Sequence, residues 1–513
     1  MMMHITVTGA VQGIGYRPFV AALANEYGIA GSVRNAGGIV EIDASGEPFA
    51  LRLFLRDLKE RAPFGAMVLE VRVKERSGRG EMAPCTQRFV IEESVPSDME
   101  DALADSEESV PAGMEEGVPS DGRKASGALS VSLPVFLPDL GLCPACEREM
   151  LSPSDRRFRY PLISCVSCGP RYSILQQFPY DRERTTMGRY PMCPACAAEY
   201  LGQAADTGRG LSGRPACAAE YAKINPSGRR RHAQTISCHD CGPQMFLLRQ
   251  GEDAENGPRG EAAVQEAVRV LKQGGVLALK GTGGYQLLCD AASPGAVNRV
   301  RECKGREKKP FAVMVRNLEA AERLAPLSPE EKTLLCSPAR PIVLVQRARG
   351  AAPEGICDAV CGDSRYLGLM LPSVGIHCLL CAEVPALVVT SANSTGEPIP
   401  FEDARFLSGA HPVRADAVLG HSREILRPLD DSVVYGQGGT TRFIRRSRGY
   451  VPLPVFLKTQ QESAGVILAA GGDLKSSFAI RKGERVILSQ YFGDLASYEV
   501  LQNYMREEQA AER

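Results

Sequence analysis

The chain has 513 residues, with 60 basic and 61 acidic side chains and a formal net charge of −1. This balance excludes neither nucleic acid nor small anionic substrates as partners, and the length predicts three or four domains. No apolar run is long enough to span a bilayer, and no basic region followed by an apolar run opens the chain. We therefore expect neither a membrane span nor a secretory signal. The 17 cysteines then indicate a reduced, metal-binding, cytoplasmic protein.

The first predicted domain, residues 1–93, has the β-α-β-β-α-β order of a ferredoxin-like α+β fold. Its loop reads Gly9-Ala-Val-Gln-Gly-Ile-Gly-Tyr-Arg17 and precedes an apolar helix. Glycines allow successive backbone N–H groups to point inward at a helix N-terminus, and an arginine adds a bidentate clamp. The loop therefore predicts a phosphate cradle, although on its own it is equally typical of a tight turn with a surface arginine. The predicted cradle residues are Gln12, Gly13, Ile14, Gly15 and Tyr16.

The motifs VQGIGYR and SVRNAGGIVEI resemble the signature of acylphosphatases. That resemblance implies two catalytic residues: Arg17 holds the phosphate, and Asn35 positions the attacking water. An acyl phosphate is already activated, so its hydrolysis needs charge neutralisation and an oriented water more than a nucleophilic side chain.

Residues 94–132 are predicted to form a disordered acidic insertion. Positions 92–121 carry eleven carboxylates and no basic residue, with interspersed proline, serine and glycine. Such a composition cannot bury a core. A passive spacer is favoured over a docking segment.

A ladder of cysteines dominates residues 133–250, the predicted paired zinc-finger region. Two Cys-x-x-Cys pairs supply the four soft ligands that Zn²⁺ prefers, and a full tetrathiolate site leaves no open coordination position. The ladder therefore predicts two structural zinc sites that brace the chain. The eight predicted ligands are Cys143, Cys146, Cys165, Cys168, Cys193, Cys196, Cys238 and Cys241.

A local duplication leaves the second zinc site open to two arrangements. The heptapeptide PACAAEY occurs at 194–200 and again at 215–221. Cys193 and Cys196 can pair with Cys238 and Cys241 around a looped insert, or the site can recruit Cys217. The first arrangement is favoured because it keeps two intact Cys-x-x-Cys pairs.

Residues 261–452 are predicted to form an α/β domain. An amphipathic helix that ends at glycine precedes one buried strand, VLALKGTGGYQLLCDA, and a basic cluster that includes Lys308 and Lys309 lies further on. Polar residues at strand ends are where such sheets commonly bind ligands, so a nucleotide triphosphate site is predicted. The alternative is a solvated basic loop and an unrelated turn. Cys378 and Cys381 are predicted to be packed thiols.

The tetrad of Lys304, Arg306, Ser391 and Asn393 is similar to the Lys-x-Arg…Ser-x-Asn pattern of YrdC-like domains that form carbamoyl-adenylate. The resemblance implies a site for ATP with Mg²⁺, in which the two cations neutralise phosphate charge and the other two residues hold nucleotide and acyl group. Three further arginines, Arg445, Arg446 and Arg448, either close over the phosphates or lie on the surface. For Arg446 and Arg448 the phosphate role is adopted.

Residues 464–513 resemble the opening hairpin of the C-terminal kinase-like module of one family, the carbamoyltransferases of nickel–iron hydrogenase maturation. The order of all four segments is similar to that family. It implies that carbamoyl phosphate is hydrolysed to carbamate, that ATP adenylates carbamate, and that HypE accepts the carbamoyl group. The family's module is longer than this segment, so we expect adenylate formation but poor transfer, unless a separate chain supplies the rest.

Two other functions are compatible with parts of the sequence. The same tetrad serves threonylcarbamoyl-adenylate synthesis for tRNA modification, which leaves the acylphosphatase-like domain without a purpose. The cysteine ladder, with its run Arg229–Arg231, is also compatible with an RNA-binding zinc module, although few aromatic residues accompany it for base stacking.

Overall fold

The structure, a computed structural model, describes residues 1–63, 66–75, 89–95, 135–202, 228–249, 257–306, 308–347, 352–394, 396–407, 414–457 and 465–512. The predicted acidic insertion lies outside these residues except for positions 94 and 95. The second PACAAEY copy, with Cys217, lies outside them as well. The predicted fold class, multidomain α+β and α/β with a ferredoxin-like first domain, is confirmed.

The first domain is a five-stranded sheet with two helices packed on it. The strand order is β4-β1-β3-β2-β5, in which only the β2–β5 pair is parallel. Its elements are β1 (Met2–Ala10), α1 (Tyr16–Glu26), β2 (Ala30–Ala36), β3 (Ile39–Ser45), α2 (Pro48–Glu60), β4 (Met67–Glu75) and β5 (Phe89–Ile91).

Alternating side chains explain how this sheet covers its core. Ile5 and Val7 on β1 are fully buried and lie opposite Ile42 and Val40 on β3. Successive residues of a strand point to opposite faces, so this alternation directs one face to the helices. Val135, which begins the next described segment, packs into the same core. The cysteine-rich region is thereby joined to the first domain.

The cysteine-rich region contains short helices separated by turns. Each α-helix begins directly after the first cysteine of a Cys-Pro-x-Cys pair, with proline in the first turn, where a missing N–H costs nothing. The helices are α3 (Pro144–Leu151) and α4 (Pro194–Leu201), with 3₁₀ helices at Tyr172–Ile174, Arg182–Arg184 and Thr186–Arg189.

The third domain is built on a mixed ten-stranded sheet, ordered β15-β14-β10-β11-β9-β12-β8-β7-β13-β6. Its strands are β6 (Met245–Arg249), β7 (Leu277–Lys280), β8 (Tyr285–Asp290), β9 (Ala312–Val315), β10 (Ile342–Gln346), β11 (Tyr366–Met370), β12 (Ala386–Ser391), β13 (Ala417–His421), β14 (Val433–Gln437) and β15 (Thr440–Arg445). Its helices are α5 (Gly260–Lys272), α6 (Pro294–Lys304), α7 (Leu318–Leu324), α8 (Pro329–Cys336), α9 (Asp358–Cys361), α10 (Gly375–Glu383) and α11 (Asp403–Leu407).

The two faces of this sheet bury separate cores. Leu277 and Leu279 on β7 face one core, whereas Ala278 between them faces the other. Cys146 of the cysteine-rich region packs in the first core, so that region and the large sheet share buried apolar surface. Cys378 and Cys381 on α10 are buried in the same core, which agrees with the prediction of packed thiols.

The single strand predicted for VLALKGTGGYQLLCDA is wrong, because the segment forms the antiparallel hairpin β7–β8. The turn depends on glycine. A Cβ on Gly283 would lie 2.1 Å from the Leu429 carbonyl oxygen, and Gly284 has a φ of +147°. Apolar periodicity marked the whole segment as buried, but the sequence does not display the close approach of the Leu429 backbone, which only a glycine at position 283 accommodates.

The C-terminal segment forms a four-stranded antiparallel sheet, ordered β16-β19-β18-β17, and a final helix. Its elements are β16 (Pro454–Phe456), β17 (Val466–Ala470), β18 (Phe478–Lys482), β19 (Arg485–Leu488) and α12 (Tyr498–Glu512). Among the described residues, no helix combines the length and apolarity needed to cross a bilayer.

Candidate functional site

Eight cysteines form two clusters with the geometry of tetrathiolate metal centres. In each cluster all four sulfur atoms lie within 4.8 Å of one another. The Sγ–Sγ distance is 3.8 Å between Cys143 and Cys165, and 3.7 Å between Cys193 and Cys238. Four sulfurs placed tetrahedrally about 2.3 Å from Zn²⁺ would lie roughly 3.8 Å apart. The donor set and its spacing therefore fit a structural divalent metal, and the second cluster has the favoured arrangement.

An arginine from each half of the region donates to a thiol of the cluster formed by the other half. Arg156, which lies between the two cysteine pairs of the first cluster, donates to Sγ of Cys196 in the second cluster at 3.0 Å. Arg229, which lies between the cysteine pairs of the second cluster, donates to Sγ of Cys146 in the first at 3.1 Å. Such donors stabilise thiolates, and a metal-loaded tetrathiolate carries net negative charge. The exchange interlocks the two halves.

Two arginines of the basic run 229–231 form ion pairs inside the cysteine-rich region. Arg229 and Arg230 both contact the carboxylate of Glu149, and their side chains are 21% and 8% exposed. Because these guanidinium groups already face a carboxylate and thiols, they do not present the exposed cationic surface that RNA binding requires.

The loop after β1 adopts the conformation that a backbone cradle needs. Gly13 and Gly15 have φ values of 81° and 76°, in the left-handed region that favours glycine, and Gly15 is the N-cap of α1. Ile14 and Tyr16 are buried in the core, and the Tyr16 hydroxyl donates to the Leu58 carbonyl. Their side chains anchor the loop, so the groups they offer to a ligand are backbone N–H groups at a helix N-terminus.

Arg17, near the start of α1, and Asn35, on β2, are both buried. Arg17 donates from Nη1 to the Ser94 hydroxyl at 2.8 Å, and Val95 donates its N–H to the Asn35 carbonyl at 2.9 Å. The segment 94–95 therefore connects the two residues. The side-chain oxygen of Asn35 is buried and has no hydrogen-bond partner among the described residues. Such an acceptor fits a site for a bound water.

Arg171 links the first cysteine cluster to the cradle. Its Nε donates to the Gly13 carbonyl at 2.7 Å, and Nη1 and Nη2 donate to the carbonyls of Cys168 and Cys165, both at 2.9 Å. The side chain is nearly inaccessible to solvent, and the backbone N–H donates to the buried Asp139 carboxylate. One cation thus fixes the backbone of both sites.

The predicted tetrad of the third domain comes together where α6 and β12 end. Lys304 Nζ donates to the Ser391 carbonyl at 2.8 Å and to the Asn393 side-chain oxygen at 3.0 Å. Arg306 donates to the Thr390 hydroxyl at 3.2 Å. Burial, and next the charge of Arg306, lower the pKa of Lys304 to about 8. Burial, with the nearby Arg301 and Arg445, lowers the pKa of Arg306 to about 10.

Further cations enlarge this positive site. Burial and the charges of Arg306, Arg445 and Lys475 lower the pKa of Lys309. Arg445 lies 3.4 Å from Asp430 and over the ring of Tyr491. Lys475 and Tyr491 belong to the C-terminal segment, so two domains contribute to the site. Mutually repelling cations gathered in a partly buried place are typical of a site for a polyanion.

Arg446 and Arg448 are placed differently from their predicted role. Arg446 donates to the carbonyls of Tyr450 and Leu453. Arg448 pairs with Asp431 at 2.6 Å and is almost fully buried. Both guanidinium groups satisfy local backbone or carboxylate acceptors. These contacts favour a structural role, and their contact with ATP stays a prediction that the described geometry does not support.

The cross-domain residues of these sites have no signal in the sequence. No sequence motif marks the contacts of Arg171 or Lys475. Arg171 contacts Gly13, which lies 158 residues away in the chain, and Lys475 belongs to a different domain from Lys304 and Arg306. Arg156 belongs to a pair of arginines and Arg229 to a run of three, which the sequence shows, but their reciprocal partners appear only in the fold.

Family models of known proteins match separate segments along the chain. Four family models match: an acylphosphatase domain at 3–91, a HypF finger at 142–175 and 215–248, a Sua5/YciO/YrdC domain described as telomere recombination at 269–447, and a HypF Kae1-like domain at 462–513. The second finger range includes Cys217, which lies outside the described residues, whereas the described cluster contains Cys193 and Cys196.

Individual relatives extend over nearly the whole chain. The carbamoyltransferase HypF of Rhodobacter capsulatus is 37% identical over 495 residues, which are 96% of this chain and 56% of that protein. An acylphosphatase of Bacillus licheniformis is 40% identical over 76 residues, 15% of this chain and 83% of that enzyme. A crystal structure of full-length HypF in a phosphate- and nucleotide-bound form has a TM-score of 0.79 and 33% identity, covering 99% of this chain and 58% of that one.

The fold and the sites define a multidomain protein that joins an acylphosphatase-family domain, two tetracysteine fingers and a Sua5/YrdC-like domain. The chain belongs to the HypF family. It spans just over half the length of the curated HypF relatives that it matches.

Proposed function

We propose that this chain makes carbamoyl-adenylate from carbamoyl phosphate and ATP with Mg²⁺ in hydrogenase maturation. Water attacks carbamoyl phosphate at the cradle and releases carbamate and inorganic phosphate. Carbamate then attacks the α-phosphate of ATP at the Lys304 site and forms carbamoyl-adenylate and pyrophosphate. The carbamoyl group passes from there to the C-terminal cysteine of HypE. The main support is that one chain holds both candidate anion sites, joined by the cysteine-rich region.

At the cradle, the backbone N–H groups and Arg17 would hold the phosphoryl group, and the Asn35 amide would orient the water. The unpartnered Asn35 oxygen supports this assignment because it is buried and can accept a hydrogen bond from water. Positioning and charge neutralisation are the main requirements, since the acyl phosphate already carries a good leaving group.

At the second site, Lys304 and Arg306 would neutralise the phosphates while Ser391 and Asn393 hold the acyl group and the nucleotide. Lys309, Arg445 and Lys475 add charge from neighbouring segments. Carbamate decomposes quickly in water, so short transfer between two sites of one molecule would conserve it. Zn²⁺ held by the eight clustered cysteines would be structural and would keep the sites in place.

The proposed compartment is the cytoplasm. None of the fifteen cysteines among the described residues forms a disulfide. Thiolate metal centres beside many free thiols are typical of a reducing environment.

Exchange of labelled pyrophosphate into ATP, driven by carbamoyl phosphate, tests the proposal. We expect exchange with the wild type and its loss with Arg17→Ala, because that variant cannot release carbamate. Ammonium bicarbonate, which equilibrates with carbamate, should restore exchange to Arg17→Ala. Lys304→Ala should fail with either carbamoyl source but still release phosphate from carbamoyl phosphate.

Full exchange by Arg17→Ala with carbamoyl phosphate as the only carbamoyl source would contradict the relay. Exchange with threonine and bicarbonate, at the rate seen with carbamoyl phosphate, would favour threonylcarbamoyl-adenylate synthesis instead. For the final step, HypE that gains the mass of one carbamoyl group on incubation with carbamoyl phosphate, ATP and the chain would contradict the expectation of poor transfer.

A further inference from the structure

The cradle is covered by a segment of the cysteine-rich region, residues 178–181. The N–H of Tyr180 donates to the side-chain oxygen of Gln12 at 2.9 Å. A Cβ on Gly13 would lie 3.0 Å from the Tyr180 ring, so the ring packs directly on the loop. The next residue, Asp181, then reaches Arg17.

Asp181 occupies the anion-binding face of Arg17. Its Oδ1 accepts from Arg17 Nη2 at 2.6 Å, and the side chains are 9% and 10% exposed. The second amino group of Arg17 donates to the Ser94 hydroxyl. Both ends of the guanidinium fork, which would clamp a phosphate bidentately, therefore already have partners.

Only one of the two carboxylate oxygens of Asp181 has hydrogen-bond partners among the described residues. Gln234 Nε2 approaches Oδ1 of Asp181 at 3.3 Å, whereas Oδ2 is buried and lacks a hydrogen-bond partner among the described residues. A carboxylate and a phosphate beside one buried guanidinium would repel each other, because little water screens them. The two anions are therefore alternatives at Arg17.

We infer that Asp181 is an intramolecular competitor that determines which anions bind the cradle. Phosphate or an acyl phosphate reaches Arg17 only when the Asp181 carboxylate moves away. The apparent affinity for a phosphate ligand is reduced by the fraction of molecules in which Arg17 is paired with Asp181. After hydrolysis, the returning carboxylate displaces inorganic phosphate. This inference rests on the proposed phosphate role of Arg17.

Binding of inorganic phosphate to the whole chain, measured by titration calorimetry, tests the competition. We expect Asp181→Asn, which keeps the shape and removes the charge, to bind phosphate at least about tenfold more tightly than the wild type. Ser94→Ala is the matched control, because it removes the other Arg17 partner without removing a negative charge, and it should not tighten binding. Asp181→Ser is a second substitution that also removes the charge, and it should tighten binding in the same direction.

Phosphate affinity that is unchanged or weaker in folded Asp181→Asn or Asp181→Ser would overturn the inference and make Asp181 a residue that positions Arg17. The double variant Arg17→Ala/Asp181→Asn should lose the gain. The proposed function is tested separately by carbamoyl phosphate hydrolysis in Arg17→Ala. Hydrolysis retained by Arg17→Ala would refute the catalytic role of Arg17. If Arg17→Ala loses hydrolysis but Asp181→Asn does not bind phosphate more tightly, only the competition is refuted.

Discussion

Replacing Arg171 with alanine should loosen the cradle and the first cysteine cluster together. The guanidinium group is buried, and its loss removes donors from carbonyls in two parts of the chain. The acceptors and their distances are Gly13 at 2.7 Å, Pro170 at 2.8 Å, Cys165 and Cys168 at 2.9 Å, and Val166 at 3.0 Å.

The expected loss of stability is about 3–5 kcal/mol. Five hydrogen bonds at a net value of roughly 1 kcal/mol each set the scale. Donation from a charged group raises this figure, whereas relief from burying a charge and entry of water into the vacated space lower it. Arg171→Lys should be intermediate, because a single ammonium group cannot reach acceptors on both sides.

Three measurements on the same variant check the reasoning. Arg171→Ala should lower the thermal unfolding midpoint by several degrees, raise KM for carbamoyl phosphate, and release metal faster to a colorimetric chelator. The matched control is Arg189→Ala, which removes a side chain that is 66% exposed and should change stability by less than about 0.5 kcal/mol. An Arg171→Ala protein with the midpoint and KM of the wild type would refute the link between cluster and cradle.

Three other changes separate the remaining contributions. The pKa of Lys304 is about 8 in the folded chain against an ordinary 10.5, so ATP affinity should fall as pH rises above about 8, and the free energy of unfolding should increase between about pH 8 and 10.5. Calorimetry of Lys304→Arg should give an ATP affinity that does not change with pH over this range. An equal decline in that variant would exclude Lys304 as the source of the pH dependence. Arg229→Ala should speed metal release from the first cysteine cluster about tenfold and leave release from the second cluster unchanged. Arg323→Ala, a surface control, should change neither rate. Unchanged release by Arg229→Ala would contradict the stabilisation of thiolates by arginine. Lys475→Ala should weaken ATP binding about fivefold, most at low salt, without altering carbamoyl phosphate hydrolysis, and unaltered ATP affinity would remove the C-terminal segment from the site.

The sequence predicted local features well because their causes are local. The glycines of the loop before α1 permit the positive φ values that the cradle needs, and a Cys-x-x-Cys pair brings two thiols within reach of one ion in most folds. Lys304, Arg306, Ser391 and Asn393 were assigned from their resemblance to the YrdC-like tetrad, and the fold gathers them at adjacent ends of α6 and β12.

One error arose where a local pattern had two three-dimensional solutions. The apolar run 276–291 marked burial but not direction, and only the antiparallel pairing of β7 with β8 showed that a turn divides it. Arg446 and Arg448 have the charge expected of phosphate ligands, and their contact with ATP stays a prediction. In the fold, Arg446 donates to backbone carbonyls and Arg448 pairs with Asp431.

The sequence by itself indicated a multidomain chain, two four-cysteine clusters and two candidate anion-binding motifs, since each depends on residues close together in the chain. Tertiary structure alone decided how the motifs face each other. Arg171 reaches Gly13, and Asp181 reaches Arg17, across more than 150 residues of chain. Contacts at such separations follow from the packing of whole domains, so no short-range pattern of residue types records them.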